Sequence, residues 1–412
     1  MTIDVATVRK DFPTLQREVH GRRLVFLDSA ASSQTPQVVI DAMTHYYEHS
    51  RANVHRGVYL LAEEATDAYE SGRTAIARFV NAWSPDGVVF TKNATEAINL
   101  LAYSWVRRNL GPGDALLTTR MEHHANFVPW LYASQDLGFE VRTIELTPDG
   151  QLDLDSARRE LADGRVRFLA VSHMSNVLGT INPVADLAGM ARAANHTCLV
   201  LADGAQAIPH LPVDVQALGV DFYAFSGHKM MGPTGIGCLV ARPEALADLP
   251  PFLTGGEMIL DVRLDGVTWN VPPQRFEAGT PMIAEGAGLA AAVDYLEGIG
   301  MDAVRAHDVD MTAAAIAALR GVEGVTVFGP TDTAVRGSTI SFAVADVHPH
   351  DVGQVLDRHG VAVRVGHHCA KPLMRELRVN ATVRASFSIY NDLDDLPPLV
   401  EGLRAAQDLF RR

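Results

Sequence analysis

The sequence has little cysteine: Cys198, Cys238 and Cys369 are odd in number and far apart in 412 residues, which excludes a disulfide framework. A reducing cytoplasm suits such a chain, and a cysteine with a task is expected to be a free thiol. Positive charge is also scarce. Lys and Arg number 35 against 49 Asp and Glu, for a net charge of −14, which argues against the basic surface that non-specific nucleic-acid binding needs. No apolar run reaches the roughly 18 residues of a membrane span. The opening MTIDVATVRKDFP has no apolar stretch of the secretory kind. Neither a solenoid-period repeat nor a low-complexity tract occurs. What remains is an ordinary globular composition, 47% hydrophobic and 20% charged, in a chain long enough to bury a large core in two or three lobes.

Short apolar runs alternate with stretches of helical period. GVVFT (Gly87–Thr91), ALLTT (Ala115–Thr119), VRTIEL (Val141–Leu146), RFLAVSH (Arg167–His173), CLVLAD (Cys198–Asp203), FYAFS (Phe222–Ser226) and GCLVA (Gly237–Ala241) read as strands. Between most of them lie segments such as TEAINLLAYSWVRRNL, with apolar spacing near 3.6. Strands without alternation, separated by helices, predict an α/β fold with a mostly parallel seven-stranded sheet covered on both faces. The last two strands are joined by a loop too short for a parallel crossover, so that edge is expected to be antiparallel. The Gly- and Pro-rich stretch 254–281 resists assignment. After it, STISFAV (Ser338–Val344), VAVRVG (Val361–Gly366) and VRASFSIY (Val383–Tyr390) predict a smaller α+β lobe. Residues 21–285 are expected to form the large domain. Residues 1–20 and 286–412 are expected to form the small one, with a cysteine loop at about 364–375.

Ligands of such sheets sit outside the carboxyl ends of the strands. Three ends carry reactive side chains. Lys229 leaves the strand FYAFS in SGHKMMGPTGIG, and partial burial there makes an amine nucleophilic toward aldehydes. Asp203 ends CLVLAD and can hydrogen-bond a protonated ring nitrogen, with Gln206 nearby. Thr95, expected as the N-cap of the following helix, offers a hydroxyl beside free backbone N–H groups and suits a phosphate. Taken singly, each has a plain structural reading: a surface lysine, a loop-capping aspartate, an ordinary cap. Together, a phosphate seat, a ring-nitrogen carboxylate and a sheltered amine match pyridoxal 5'-phosphate.

The chain resembles the fold type I pyridoxal-phosphate enzymes of aminotransferase class V, and within them the SufS-type, group II cysteine desulfurases. The resemblance runs nearly end to end, through LDSAASSQTP, RANVHRGV, NATEAINL, EHHANFVPW, SNVLGTINP, DGAQAIPHLPVDVQ, SGHKMMGPTGIG, RFEAGTP and RVGHHCAKPLM. It implies Lys229 as the Schiff-base lysine and His123 as the ring stacked on the cofactor. It implies Asp203 on the pyridine nitrogen, Gln206 on the phenolic oxygen, and Thr95, Ser226 and His228 around the phosphate. Thr280 would reach the phosphate of a neighbouring subunit, implying a homodimer. Asn176 and Arg384 would hold the carboxylate of L-cysteine, Arg384 as a bidentate clamp, and Arg364, close to the cysteine loop, would contribute to the substrate end of the site. Cys369 would take the substrate sulfur as a persulfide and release L-alanine, with His367, His368 and Arg364 lowering its pKa. The sulfur would pass to an acceptor protein for iron–sulfur cluster assembly. His350 matches relatives that serve a zinc-containing, SufU-like acceptor, which is expected over a SufE-like one.

Competing readings are weaker. GPTGIG precedes a strand and so fails as a dinucleotide fingerprint. His367, His368 and Cys369 are not expected to bind a metal, because neighbours on an extended segment point to opposite sides. His124 reads as a packing histidine, Cys198 and Cys238 as small buried hydrophobes. A selenocysteine lyase on the same scaffold is the nearest alternative function. A transaminase would leave Cys369 idle, and a non-catalytic scaffold would not need this set of residues.

Overall fold

The structure is a computed structural model that describes residues 3–410. Seven strands form the central sheet: β1 (Val88–Thr91), β2 (Ala115–Thr119), β3 (Glu140–Ile144), β4 (Val166–Ser172), β5 (Leu199–Asp203), β6 (Phe222–Ser226) and β7 (Gly237–Ala241). Their order is β1-β7-β6-β5-β4-β2-β3. Every residue of β1, β2, β6 and β7 is buried, which is why these runs do not alternate: both faces are covered. Pairing is parallel from β3 through β6.

The expected antiparallel pair is present between β6 and β7, but it is not the edge. β1 lies outside β7 and pairs antiparallel with it, so β1 points the same way as the parallel set. Gly237, at the start of β7, is opposite both Thr91 and Ser226. The carboxyl ends of β1 and β6 therefore flank one point. That point must be a glycine, since a Cβ on Gly237 would lie 2.6 Å from Asn93 Cα.

A second, four-stranded antiparallel sheet holds β8 (Val325–Val327), β9 (Thr339–Val344), β10 (Arg364–Gly366) and β11 (Thr382–Ser386), in the order β8-β9-β11-β10. Helices Met301–Arg320, Pro349–Arg358 and Leu396–Phe410 pack with it around a separate apolar cluster. VAVRVG is not the single strand its composition suggests. It breaks at Val363, because Val361–Ala362 pairs in parallel with Val25–Phe26 while Arg364–Gly366 joins β11. The chain changes partners within five residues. The same N-terminal segment runs on to Asp28, which bridges to Ser386, and so reaches the junction of the two sheets.

Helix Ile283–Ile299 lies against Gln37–His49 and Leu60–Phe79. At the latter crossing a Cβ on Gly72 would meet the Gly286 carbonyl at 2.4 Å, so the backbones touch. The unassigned stretch contains a hairpin, Ile259–Arg263 with Gly266–Trp269. Its residues are almost all exposed, which explains the lack of any burial pattern to read. Among the described residues no helix is long and apolar enough to cross a membrane.

Candidate active site

A cavity of about 290 Å³ opens where the strand ends meet the second sheet, a size at the lower end of small-molecule pockets. β1, β2, β4, β5 and β6 deliver Thr95, His123, Asn176, Asp203, Gln206, Ser226, His228 and Lys229 to it. The second sheet and the loop after β10 bring Arg364, His368, Cys369 and Arg384. Thr280 is the one expected site residue that does not line it; its side chain is exposed.

One corner is built from β1 and β6. The expected N-cap at Thr95 is corrected: Asn93 caps the helix Ala94–Leu101, its side chain accepting from Glu96 N at 3.0 Å. Ser226 Oγ takes the Ala94 N–H at 2.9 Å. Thr95, inside the first turn, has neither its N–H nor its hydroxyl paired among the described residues. Two free donors at a helix start, with Ser226 and His228 beside them, suit an anion such as a phosphate.

Lys229 sits opposite Asp203 in this cavity. Burial lowers the lysine pKa to about 8, and Asp203 opposes that shift only in part. Burial likewise raises the Asp203 pKa. One carboxylate oxygen accepts from Ala205 N at 3.0 Å; the other has no partner among the described residues and can meet a ring N–H. Gln206 Nε2 donates to the Ala30 carbonyl at 2.7 Å, which ties the N-terminal segment to the cavity wall. His123 Nδ1 accepts from Ala125 N at 3.1 Å. Burial, reinforced by Lys229, holds its pKa near 3, so the ring is neutral at physiological pH.

At the other end Arg384 is buried, and burial lowers its pKa to about 10, which leaves it charged at neutral pH. It donates to the Asn176 carbonyl at 2.9 Å and to Asp28 at 3.3 Å. Arg364 reaches the same Asp28 at 3.2 Å. Asn176 Nδ2 donates to the His368 carbonyl at 2.7 Å. Cys369 is an exposed, free thiol.

Two expectations about the cysteine loop change. The segment is a turn, not extended: His368 and Cys369 both take left-handed backbone, at φ 50° and 53°. Opposite-facing neighbours therefore give no argument about metal binding; among the described residues no group of three or more His, Cys, Asp or Glu side chains is placed to hold a metal. Nor can His368 assist Cys369 as a cation. Its Nε2 meets Thr382 Oγ1 at 2.8 Å, and burial first, then Arg384, pushes its pKa down to about 3.

Other residues of the site carry no signal in the sequence. Asp28 lies within LDSAASSQTP, but nothing local says that it faces two arginines. Glu122, next to His123, is fully sheltered and accepts from Thr119, Ser172 and Asn126 side chains at 2.6–2.7 Å. It links the ends of β2 and β4 beneath the cavity. Burial raises its pKa to about 7. Tyr223 meets His173 Nδ1 at 3.0 Å and packs on Gly204, where any Cβ would lie 2.1 Å from its ring.

Free donors at Thr95, an unpaired Asp203 oxygen and a lysine of depressed pKa fit pyridoxal 5'-phosphate. Lys229 would hold its aldehyde carbon, Asp203 its ring nitrogen, His123 its ring face, and Thr95, Ser226 and His228 its phosphate. The aminotransferase class-V family matches residues 25–399. The probable cysteine desulfurase 2 of Mycobacterium leprae (strain TN) is 50% identical over 416 residues, covering 100% of this chain and 98% of that protein. A cysteine desulfurase from Thermococcus onnurineus NA1, solved as the apo protein, has a TM-score of 0.92 at 39% identity, covering 100% of this chain and 99% of that one. The Escherichia coli cysteine desulfurase CsdA has a TM-score of 0.91 at 38% identity, with 100% of both chains covered. With a match that spans most of its length, the chain belongs to the aminotransferase class-V family.

Proposed function

We propose that the chain is a pyridoxal-phosphate-dependent cysteine desulfurase of the SufS type, converting L-cysteine to L-alanine and keeping the sulfur as a persulfide on Cys369. The observation that carries this reading is the shared cavity: Lys229, Asp203 and Arg384 line it, and the free thiol of Cys369 stands at the same space. A transaminase needs the first three and has no use for the fourth.

Arg384, with Arg364 and Asn176, binds the substrate carboxylate and fixes the amino acid along the cavity. When bound, the cofactor supplies an electron sink for the pair left by the α-proton. Lys229 is placed to take that proton, and a pKa near 8 lets its amine act as a base close to neutrality. His123, neutral with Nδ1 accepting from Ala125 N, carries its proton on Nε2, and its ring would stack on that of the cofactor. The Cys369 thiolate then attacks the substrate sulfur: the S–S bond forms, the Cβ–S bond breaks, and protonation of the remaining three-carbon unit gives alanine.

The wider setting is part of the same proposal. Val58, Leu60, Leu260, Val262 and Leu264 are exposed apolar residues, an arrangement that a second copy of the chain would cover. In such a homodimer the exposed Thr280 can serve the partner's phosphate. The acceptor is proposed as SufU-like, with the exposed His350 as its contact, and the sulfur as destined for iron–sulfur clusters. Three free cysteines suit a reducing cytoplasm.

The test is to incubate the holoenzyme with L-cysteine without reductant, then measure released alanine and the mass of the Cys369 peptide. One added sulfur with alanine released supports the reading. Alanine with an unmodified Cys369 transfers the assignment to a selenocysteine-lyase-like route on the same scaffold.

A further inference from the structure

The turn that carries Cys369 is costly. Two successive non-glycine residues, His368 and Cys369, hold left-handed backbone, a conformation that persists only where the surroundings enforce it. Cys369 itself is exposed, so burial of its side chain is not what enforces it. Some of the holding hydrogen bonds lie on the small-lobe side: Cys369 N donates to His367 Nδ1 at 3.2 Å, Ala370 N to the His367 carbonyl at 2.9 Å, and the buried His368 ring meets Thr382 Oγ1 at 2.8 Å. Others reach across from the large sheet. Asn176 Nδ2 donates to the His368 carbonyl at 2.7 Å. On the far side of the thiol, the Cys369 carbonyl accepts from His124 N at 2.6 Å. Lys371 N donates to His124 Nε2 at 3.1 Å.

Lys371 opens the short helix Lys371–Glu376, whose N-cap, Ala370, offers no side-chain cap. Its N–H is one of the donors a helix start leaves without a partner. The His124 ring supplies that partner from the opposite lobe. His124 therefore grips the chain twice just after Cys369 Cα, by its main chain at the Cys369 carbonyl and by its ring at Lys371, while Asn176 holds the His368 side. Because Nε2 accepts, the ring proton sits on Nδ1. Burial first, then His367 and Lys371, keeps its pKa below the ordinary imidazole value, so the accepting form persists at neutral pH. His123, one residue earlier, lines the cavity while His124 does not.

We infer that His124 is a positioning residue that fixes the Cys369 turn against the cofactor-stacking segment, so that the thiol is held where the substrate sulfur is delivered. This rests on the reading of Cys369 as the sulfur acceptor. His124 is only half-buried and outside the apolar clusters, so its replacement leaves the core intact.

Wild type, His124→Ala and His124→Gln holoenzymes test it with two readouts. The first is alkylation of Cys369 by iodoacetamide without substrate, followed by peptide mass spectrometry; Cys198 and Cys238 are buried and do not compete. The second is the single-turnover rate of persulfide formation, with the visible absorption change on adding L-cysteine as the measure of substrate binding. In His124→Ala alkylation should quicken about threefold to tenfold, the span of one neutral hydrogen bond, and persulfide formation should slow by a similar factor. The concentration dependence of the absorption change should stay as in wild type. His124→Gln, whose carbonyl can accept from Lys371 N, should restore both rates. Unchanged or slower alkylation in His124→Ala overturns the inference, as does equal impairment of the Ala and Gln variants. If wild type itself forms no persulfide, the functional reading falls, and the alkylation comparison still decides the clamp.

Discussion

Asp28 is the shared counter-ion of two arginines that face each other across neighbouring strands. Arg364 and Arg384 are directly paired in the β10–β11 register, and Asp28 lies 3.2 Å from one and 3.3 Å from the other. Like charges so placed repel unless an anion joins them. Arg384 makes one hydrogen bond from each terminal nitrogen, to Asn176 and to Asp28, so its guanidinium has spare donor capacity. On the proposed function, a substrate carboxylate would complete this group and compete with Asp28 for Arg384. Arg384→Ala should therefore raise KM for L-cysteine by about 10- to 100-fold, the span of charge-assisted hydrogen bonds, with the cofactor absorption retained. Asp28→Asn should move KM the other way, because it removes the competitor. Steady-state alanine release over a range of L-cysteine checks both, and a raised KM in Asp28→Asn would show that Asp28 orients Arg384 instead.

Much of this site is legible along the chain because strand ends converge wherever a parallel sheet forms. The runs ending at Asp203 and Ser226 predict their own positions, and Lys229 follows three residues later. What the sequence does not display is which ends become neighbours. The contact of β1 with β7 depends on an antiparallel return that brings Asn93 against Gly237, and no local pattern announces it. Thr95 looks like a cap because Thr before a helical period usually is one; Asn93 takes that role, since its side chain reaches Glu96 N from an extended backbone. Asp28 and Glu122 escape notice, and His124 reads only as packing, for a common reason. Each has a partner far along the chain, at Arg384, Ser172 and Lys371, between 50 and 356 residues away, and only tertiary structure makes those pairs.

Lys229 has a pKa near 8 because burial disfavours its charged form. Only the neutral amine condenses with an aldehyde, so the rate at which apo-protein takes up pyridoxal 5'-phosphate should rise with pH and level off above about 8. An ordinary lysine, at about 10.4, would leave the rate climbing through pH 9. Stopped-flow absorbance on mixing apo-protein with the cofactor, from pH 6.5 to 9.5, distinguishes the two profiles. Lys229→Arg should abolish the signal at every pH.

Gly237 stands at the corner proposed to seat the phosphate. A Cβ there would meet Asn93 Cα and the Phe225 carbonyl, both at 2.6 Å. Backbone cannot rotate away as a side chain can, so β1 and β6 would have to part. Gly237→Ala should lose about 1–3 kcal/mol of stability, the usual cost of overpacking, and should retain less cofactor through gel filtration. Gly189→Ala is the control. It lies in helix Val184–Ala194 with nothing within 4 Å of its Cβ, and should gain about 0.5–1 kcal/mol. Urea midpoints measured on apo-protein separate the stability effect from cofactor binding.

Cys369 lies at the cavity yet on the exposed side of it, which makes it suited to capturing an atom and handing it outward. Its importance should depend on how readily that atom leaves. Alanine forms only if the Cβ–S electron pair stays on carbon and is protonated there, so the sulfur of L-cysteine needs a thiolate to receive it as that bond breaks. Selenium can depart as elemental selenium, with the Cβ–Se pair left on carbon, and needs no capture. Cys369→Ala should thus abolish alanine release from L-cysteine while leaving most of the release from L-selenocysteine, because the steps proposed for Lys229, Asp203 and Arg384 are common to both. Measuring alanine from each substrate, in wild type and variant at equal cofactor content, gives four rates. Surviving cysteine turnover in the variant would remove the persulfide from the mechanism. Equal loss on both substrates would instead mean that Cys369 supports a shared step, such as closing the cavity around the bound amino acid, and would make the geometry of its turn more important than its sulfur.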